Sequence, residues 1–160
     1  MMLATLCYLR KDGKTLMLHR SRNKEDMHLG NYVAPGGKVE SGESPEECIV
    51  RELREETGLT PLNLMLKGIL TFSNEGRVFG NEGKQEDWYV IVYTSNDFRG
   101  ELKQPKEGSL EWVADEEINK LPMWEGDRIF TEWIGKPGVF SAKFTYRDKK
   151  LEGHKVVFYD

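Results

Sequence analysis

The stretch GKVESGESPEECIVRELREETGL, running from Gly37 to Leu59, decides how this chain is read. Ser44-Pro45-Glu46-Glu47 is a dense helix-start signal: the serine can cap, the proline suits the first helical position, and Glu47 completes a capping box. The helix should run to about Thr57, with Gly58 supplying a left-handed C-terminal cap. With Glu52 set at zero on a helical wheel, Glu55 falls at about 300° and Glu56 at about 40°, so three carboxylates share an arc of roughly 100°. Val50, Leu53 and Thr57 fall at about 160°, 100° and 140°, a separate stripe expected to face a core. Glu47, Arg51 and Arg54 occupy the remaining side.

Three carboxylates on one helical face repel one another, so something positive must offset them. Oxygen-rich clusters suit hard divalent cations. Magnesium, with manganese as a substitute, typically takes a few carboxylates together with water and substrate phosphate. Such an ion can neutralise phosphate charge, orient the reacting phosphorus and acidify an attacking water. The helix alone is also compatible with a solvated acidic face balanced by Arg51 and Arg54.

The whole run resembles the Nudix box. Gly37, five residues, Glu43, seven residues, Arg51-Glu52-Leu53, one residue, Glu55-Glu56, one residue and Gly58-Leu59 match the family pattern at each defining position. Chance would produce these identities in a chain this long with a probability on the order of one in ten million. The resemblance implies an α/β/α sandwich with a mixed sheet, the box helix and a C-terminal helix packed against it, as one domain over residues 1–160. It implies attack of water on a phosphorus within a diphosphate linkage. Glu55 and Glu56 match the principal metal ligands, and Glu52 the glutamate that binds metal or helps activate water. Arg51, with Glu43, matches the arginine that positions these carboxylates. The carbonyl of Gly36 or Gly37 is a further expected ligand, and Lys38 a further substrate contact.

Outward from the box, Leu3–Leu9 and Thr15–His19 read as two strands joined by an Asp12-Gly13 hairpin turn. Ser21 to Asn31 reads as a loop, and Asn31 to Ala34 as a short extended stretch ended by Pro35-Gly36-Gly37. Downstream, strands are expected at Leu62–Phe72 (irregular at Lys67-Gly68), Asp87–Thr94 and Trp112-Val113. A short helix is expected at Glu116–Lys120, a longer one at about Gly126–Ile134, and a closing hairpin from Val139–Tyr146 and His154–Phe158. Ser73 to Glu86 is polar with three glycines and reads as a candidate substrate loop, with Phe72 and Phe79 as packing residues. Strands with few helices between them indicate α+β.

The 160 residues suit one domain with a core of its own. The longest apolar run, Trp88 to Tyr93, suits a buried strand and is too short to span a bilayer. No secretion leader is evident, and Cys7 and Cys48 sit in apolar patterns, so buried free thiols in a reducing cytoplasm are expected. The net charge of −4 and the lack of a basic stripe argue against a polynucleotide and for a small nucleotide handled through a metal ion. Oligomeric state is not readable.

Beyond the box the chain is most similar to the MutT-like branch, especially hydrolases of oxidised purine nucleoside triphosphates. Glu107 stands where that branch carries an additional metal-binding glutamate. Trp124 and Asp127 match a tryptophan that packs on the purine and an acid that bonds its edge. Gly126 stands where a second acid would be, and Val33 where those enzymes present an asparagine. Arg20 and Arg22 could reach substrate phosphates, whereas His19, His28 and His154 need no catalytic role, and Trp112 and Trp133 read as packing residues. Three functions follow. The first is a purine nucleoside triphosphate pyrophosphatase, the second a Nudix enzyme for dinucleoside polyphosphates, nucleotide sugars or capped RNA, and the third a non-catalytic nucleotide sensor.

Overall fold

The computed structural model describes residues 1–75 and 86–160. Strand β1 (Met2–Lys11) is the organising element, because its side chains alternate between two cores. Ala4 and Tyr8 join Phe130, Phe140 and Phe144 on one face. Cys7 and Leu9 join Ile49 and Leu53 on the other. Each large apolar side chain buried this way contributes about 1.5–3 kcal/mol. The turn into β2 (Lys14–Arg20) is the expected hairpin, with Asp12 and Gly13 both at positive φ.

The elements that follow are β3 (Tyr32–Val33), β4 (Gly36–Lys38), α1 (Pro45–Thr57), β5 (Leu59–Pro61), β6 (Met65–Glu75), β7 (Trp88–Ser95), β8 (Phe98–Gly100) and β9 (Gly108–Ala114). The chain closes with α2 (Glu125–Phe130), β10 (Val139–Arg147) and β11 (Lys150–Tyr159). Among the described residues, nine strands form one mixed sheet in the order β11-β10-β6-β7-β1-β2-β3, with β4 paired to β1 and β9 to β2. The β1–β7 and β6–β10 pairs are parallel and the others antiparallel. Helix α1 packs on one face against β1, β4 and β5, and α2 lies on the other. The fold is therefore the α+β architecture expected from the sequence. No helix among the described residues is long and apolar enough to cross a membrane.

Several boundaries differ from the sequence reading. Strand β6 starts at Met65 and continues to Glu75, because its last residues pair with β10 in the register Thr145–Ser73, Tyr146–Asn74 and Arg147–Glu75. The expected irregularity at Lys67-Gly68 is a register shift against β7. Residues 76–85 of the suggested substrate loop, Phe79 among them, lie outside the described residues. The Trp112-Val113 strand is part of the longer β9, whose ladder with β2 extends to Gly108. Helix α2 stops at Phe130 and tightens into a 3-10 turn at Thr131–Trp133, where Thr131 and Trp133 favour helix weakly. The other short helix, Asp115–Lys120, is also 3-10. Both cysteines are free and buried.

Candidate active site

Helix α1 begins and ends as its sequence dictates. Ser44 accepts from the Glu47 N–H, the Glu47 carboxylate accepts from the Ser44 N–H, and Gly58 closes the helix in the left-handed conformation. Its buried side chains are Cys48, Ile49, Leu53 and Thr57, whereas Val50 is only half-buried. The carboxylate arc and the apolar stripe are thus not separate. Glu52 and Glu56 sit on the edge of the buried face, against β4, and Glu55 stands out at 61% side-chain exposure.

Strand β4 supplies the seat. The Gly36 N–H donates to Glu56 Oε1 at 2.9 Å. A Cβ on Gly37 would lie 2.3 Å from Glu52 Cδ, so the Glu52 carboxylate rests where any side chain would have to go. Burial raises the Glu56 carboxyl to about 7, against the opposing bond from Gly36; Glu52 and Glu107 raise it further, and Arg20 opposes them. Glu107 is therefore close enough to be felt at Glu56, while its backbone carbonyl accepts from the Ser21 and Arg22 N–H groups. Burial likewise raises Glu52, against Arg51.

Arg51 ties the cluster together. Its Nε and Nη2 grip Glu43 at 2.6 and 3.0 Å, its Nη1 reaches Glu52 at 2.8 Å and Glu55 at 3.4 Å, and its Nη2 donates to the Lys38 carbonyl at 3.1 Å. The Arg51 bonds hold the Glu43 carboxyl down at about 2. Among the described residues no three acidic, histidine or cysteine side chains converge on a ready-made ion position, and Arg51 Nη1 pairs with both Glu52 and Glu55. The donor set itself, three carboxylates and the nearby Gly37 carbonyl, is all oxygen and fits a hard divalent cation. That carbonyl accepts from Thr5 Oγ1 at 3.2 Å and from the Cys48 thiol at 3.6 Å.

On the other side of β4 lies a cavity of about 670 Å³. Gly36, Gly37 and Lys38 line it together with Val33, Trp124, Asp127 and Arg20, whereas Glu52, Glu55, Glu56 and Glu107 do not. Lys38 Nζ lies 5.5 Å from the centre of the Trp88 ring. Arg20 is paired with Asp26 at 2.6 Å. The Trp124 indole N–H donates to His28 Nδ1 at 2.7 Å, which puts the imidazole proton on Nε2. Burial, helped by Arg20, lowers His28 to about 4, so it is neutral at physiological pH. Burial raises Asp127 to about 7. Gly126 has no room for an acidic side chain: a Cβ there would lie 2.7 Å from the Tyr146 hydroxyl and 3.0 Å from the Phe144 ring. That hydroxyl instead accepts from the Gly126 N–H at 2.6 Å.

Sequence reasoning missed Asp26, Asn74, Trp88 and Tyr146 as pocket residues, and discounted His28. Strand alternation could have found Asn74 and Tyr146, since each shares a sheet face with a core aromatic two residues away. Nothing in the sequence around His28 brings it to Trp124. Trp133 packs edge-on to Phe140 as expected, and Trp112 stacks on Phe98.

Strand β4 thus carries box carboxylates on one side and borders the cavity on the other. The NUDIX domain family model matches residues 2–134, and the chain belongs to the Nudix family of pyrophosphohydrolases. The Nudix hydrolase YvcI of Bacillus subtilis (strain 168) is 35% identical over 144 residues, covering 89% of this chain and 85% of that protein. An ADP-ribose pyrophosphatase of Methanocaldococcus jannaschii is 44% identical over 130 residues, 79% of this chain and 69% of that one. An oxidized purine nucleoside triphosphate hydrolase of Danio rerio is 28% identical, with 97% and 90% covered. Among solved structures, the mutator MutT protein from Bacillus halodurans superimposes with a TM-score of 0.82 at 30% identity, covering 98% of this chain and 97% of that one.

Proposed function

We propose that this Nudix enzyme hydrolyses a purine or oxidised purine nucleoside triphosphate to the monophosphate and pyrophosphate, with magnesium at the α1 carboxylates. One observation carries the reading. Gly36 and Gly37 touch Glu56 and Glu52 on one side and line the Trp124–Asp127 cavity on the other. A nucleotide with its base in that cavity lays its phosphates across β4 onto the carboxylates.

When bound, magnesium supplies the positive charge that neutralises the phosphates and lowers the pKa of water. Glu55 and Glu56 would be its ligands, with the Gly37 carbonyl and Glu107 as further oxygen donors, and Glu52 would either join them or take the proton of the attacking water. As the water oxygen bonds to phosphorus, the bridging P–O bond breaks and pyrophosphate leaves. Arg51 and Glu43 fix the carboxylate positions. Lys38 and Arg20 lie at the cavity, where a cation meets phosphate charge. Trp124 offers an indole face to the base and Asp127 a polar group to its edge.

A second reading, cleavage of a nucleotide sugar at its diphosphate, is favoured by the 44% identity to the archaeal ADP-ribose pyrophosphatase. A panel of nucleotides incubated with magnesium separates the two. Monophosphate and pyrophosphate from a purine triphosphate support the first reading. Inert triphosphates together with AMP and ribose phosphate from ADP-ribose establish the second.

A further inference from the structure

One polar atom in the cavity wall has no partner there. Asn74 is 5% exposed and lines the cavity. Its Nδ2 donates to the Glu86 carbonyl at 2.8 Å, which sets the amide orientation and leaves Oδ1 as the remaining acceptor. Among the described residues, Asn74 Oδ1 is a buried side-chain oxygen with no hydrogen bond. A buried acceptor left unsatisfied is costly, and one held in place by a bond to its own amide nitrogen cannot turn away to relieve the cost.

Its surroundings say what is missing. Strand alternation puts Asn74 on the same sheet face as Leu70 and Phe72, under the cavity. Its register partner on β10 is Tyr146, whose hydroxyl holds the Gly126 N–H beside Asp127. Phe72, Trp88 and Val90 also line the cavity, and no hydrogen bond to Oδ1 comes from them. The wall thus presents a recessed acceptor in a space that fits a base, and the group that reaches it must donate and must project from the ring. A keto oxygen at that point would set oxygen against oxygen.

We propose that Asn74 is a base-specificity residue whose Oδ1 accepts a hydrogen bond from an exocyclic amino group of the bound nucleobase. The proposal rests on the reading of this cavity as a nucleobase pocket. It adds an acceptor that the Trp124–Asp127 pair does not supply, on the wall where Gly126 leaves no second acid.

The test is titration calorimetry of the full chain with four nucleoside monophosphates, those of guanine, hypoxanthine, adenine and unsubstituted purine. In at least one pair, guanine against hypoxanthine or adenine against purine, the amino-bearing member is expected to bind about tenfold tighter or more. Asn74→Leu should bring that ratio to within about twofold, and Asn74→Asp, which keeps an acceptor, should preserve it. Equal binding within both pairs by the wild-type chain, an unchanged ratio in Asn74→Leu, or no binding of any monophosphate would overturn the proposal. If thermal melting shows that Asn74→Leu does not fold, the wild-type and Asn74→Asp ratios decide. Because no turnover is needed, uncleaved triphosphates with the amino preference intact would overturn the triphosphate reading alone. Cleaved triphosphates with no preference would overturn the role of Asn74 alone.

Discussion

The three atoms nearest to a Cβ built on Gly37 all belong to the Glu52 carboxyl group, at 2.3, 2.5 and 2.6 Å. The backbone of β4 is therefore the surface on which a carboxylate of α1 is seated, and a side chain at Gly37 would displace it. Gly37 does not adopt a left-handed backbone, so a methyl group at this position meets only the end of a flexible side chain.

Gly37→Ala should consequently leave the fold nearly untouched and move the Glu52 carboxylate off its seat. A displacement of about 1 Å at a reacting group costs on the order of 10²-fold in rate. Steady-state kinetics should show kcat down by that order, with a melting temperature within a few degrees of wild type. Loss of folding, or unchanged kcat, would count against the seat.

Arg51→Lys should also be severe, although the charge is kept. A lysine cannot grip Glu43 through two nitrogens while reaching Glu52 and the Lys38 carbonyl. The expected result is a kcat reduced roughly 10- to 100-fold, with a higher magnesium concentration needed for half-maximal rate. Full activity at ordinary magnesium would mean that the clamp does not position the carboxylates.

Trp124 lines the cavity and is held there by the 2.7 Å bond to His28. Trp124→Ala should raise KM about tenfold, with kcat changed much less, since the loss of a stacking surface worth about 1–3 kcal/mol weakens binding rather than bond breaking. Trp124→Phe should recover most of the lost affinity if stacking dominates. An unchanged KM in Trp124→Ala would remove the indole from the pocket.

Asp127 gives a pH dependence of stability. Its folded-state carboxyl is raised by burial to about 7, above the ordinary carboxylate value, so between roughly pH 4 and 7 the folded chain retains a proton that the unfolded chain releases. Stability must then fall as pH rises through that window and level off above it. Asp127→Asn, which is neutral throughout, should melt together with wild type near pH 4 and above it at pH 8. A melting difference that does not change with pH would contradict this assignment.

The box helix was legible because its signals are local: cap, first-turn proline, C-terminal glycine and carboxylate spacing all lie within one run. The β1–β2 hairpin was legible for the same reason. What was not legible depends on pairings between distant residues. Ser73 to Glu75 looks like loop in isolation and becomes strand only because β10 lies alongside. Val50 fits an ideal apolar stripe, but the helix turns Glu52 and Glu56 toward β4 instead, where Gly36 and Gly37 receive them. His28 reaches Trp124 across a sequence separation of 96, and no spacing rule could join them. The meaning of Gly126 likewise emerged only when the Tyr146 hydroxyl was found in the space that a side chain would need.

The most direct test of the central claim, that the α1 carboxylates carry a metal-dependent diphosphate hydrolysis, is the magnesium-supported turnover of Glu56→Gln. Glutamine keeps an oxygen for the Gly36 N–H, so the 2.9 Å bond and the fold should survive, while the charge that a cation needs is gone. The expected result is a loss of about 10³-fold in kcat on the preferred nucleotide, with melting temperature and nucleoside monophosphate binding close to wild type. Activity within a few-fold of wild type in a folded Glu56→Gln chain would contradict the claim.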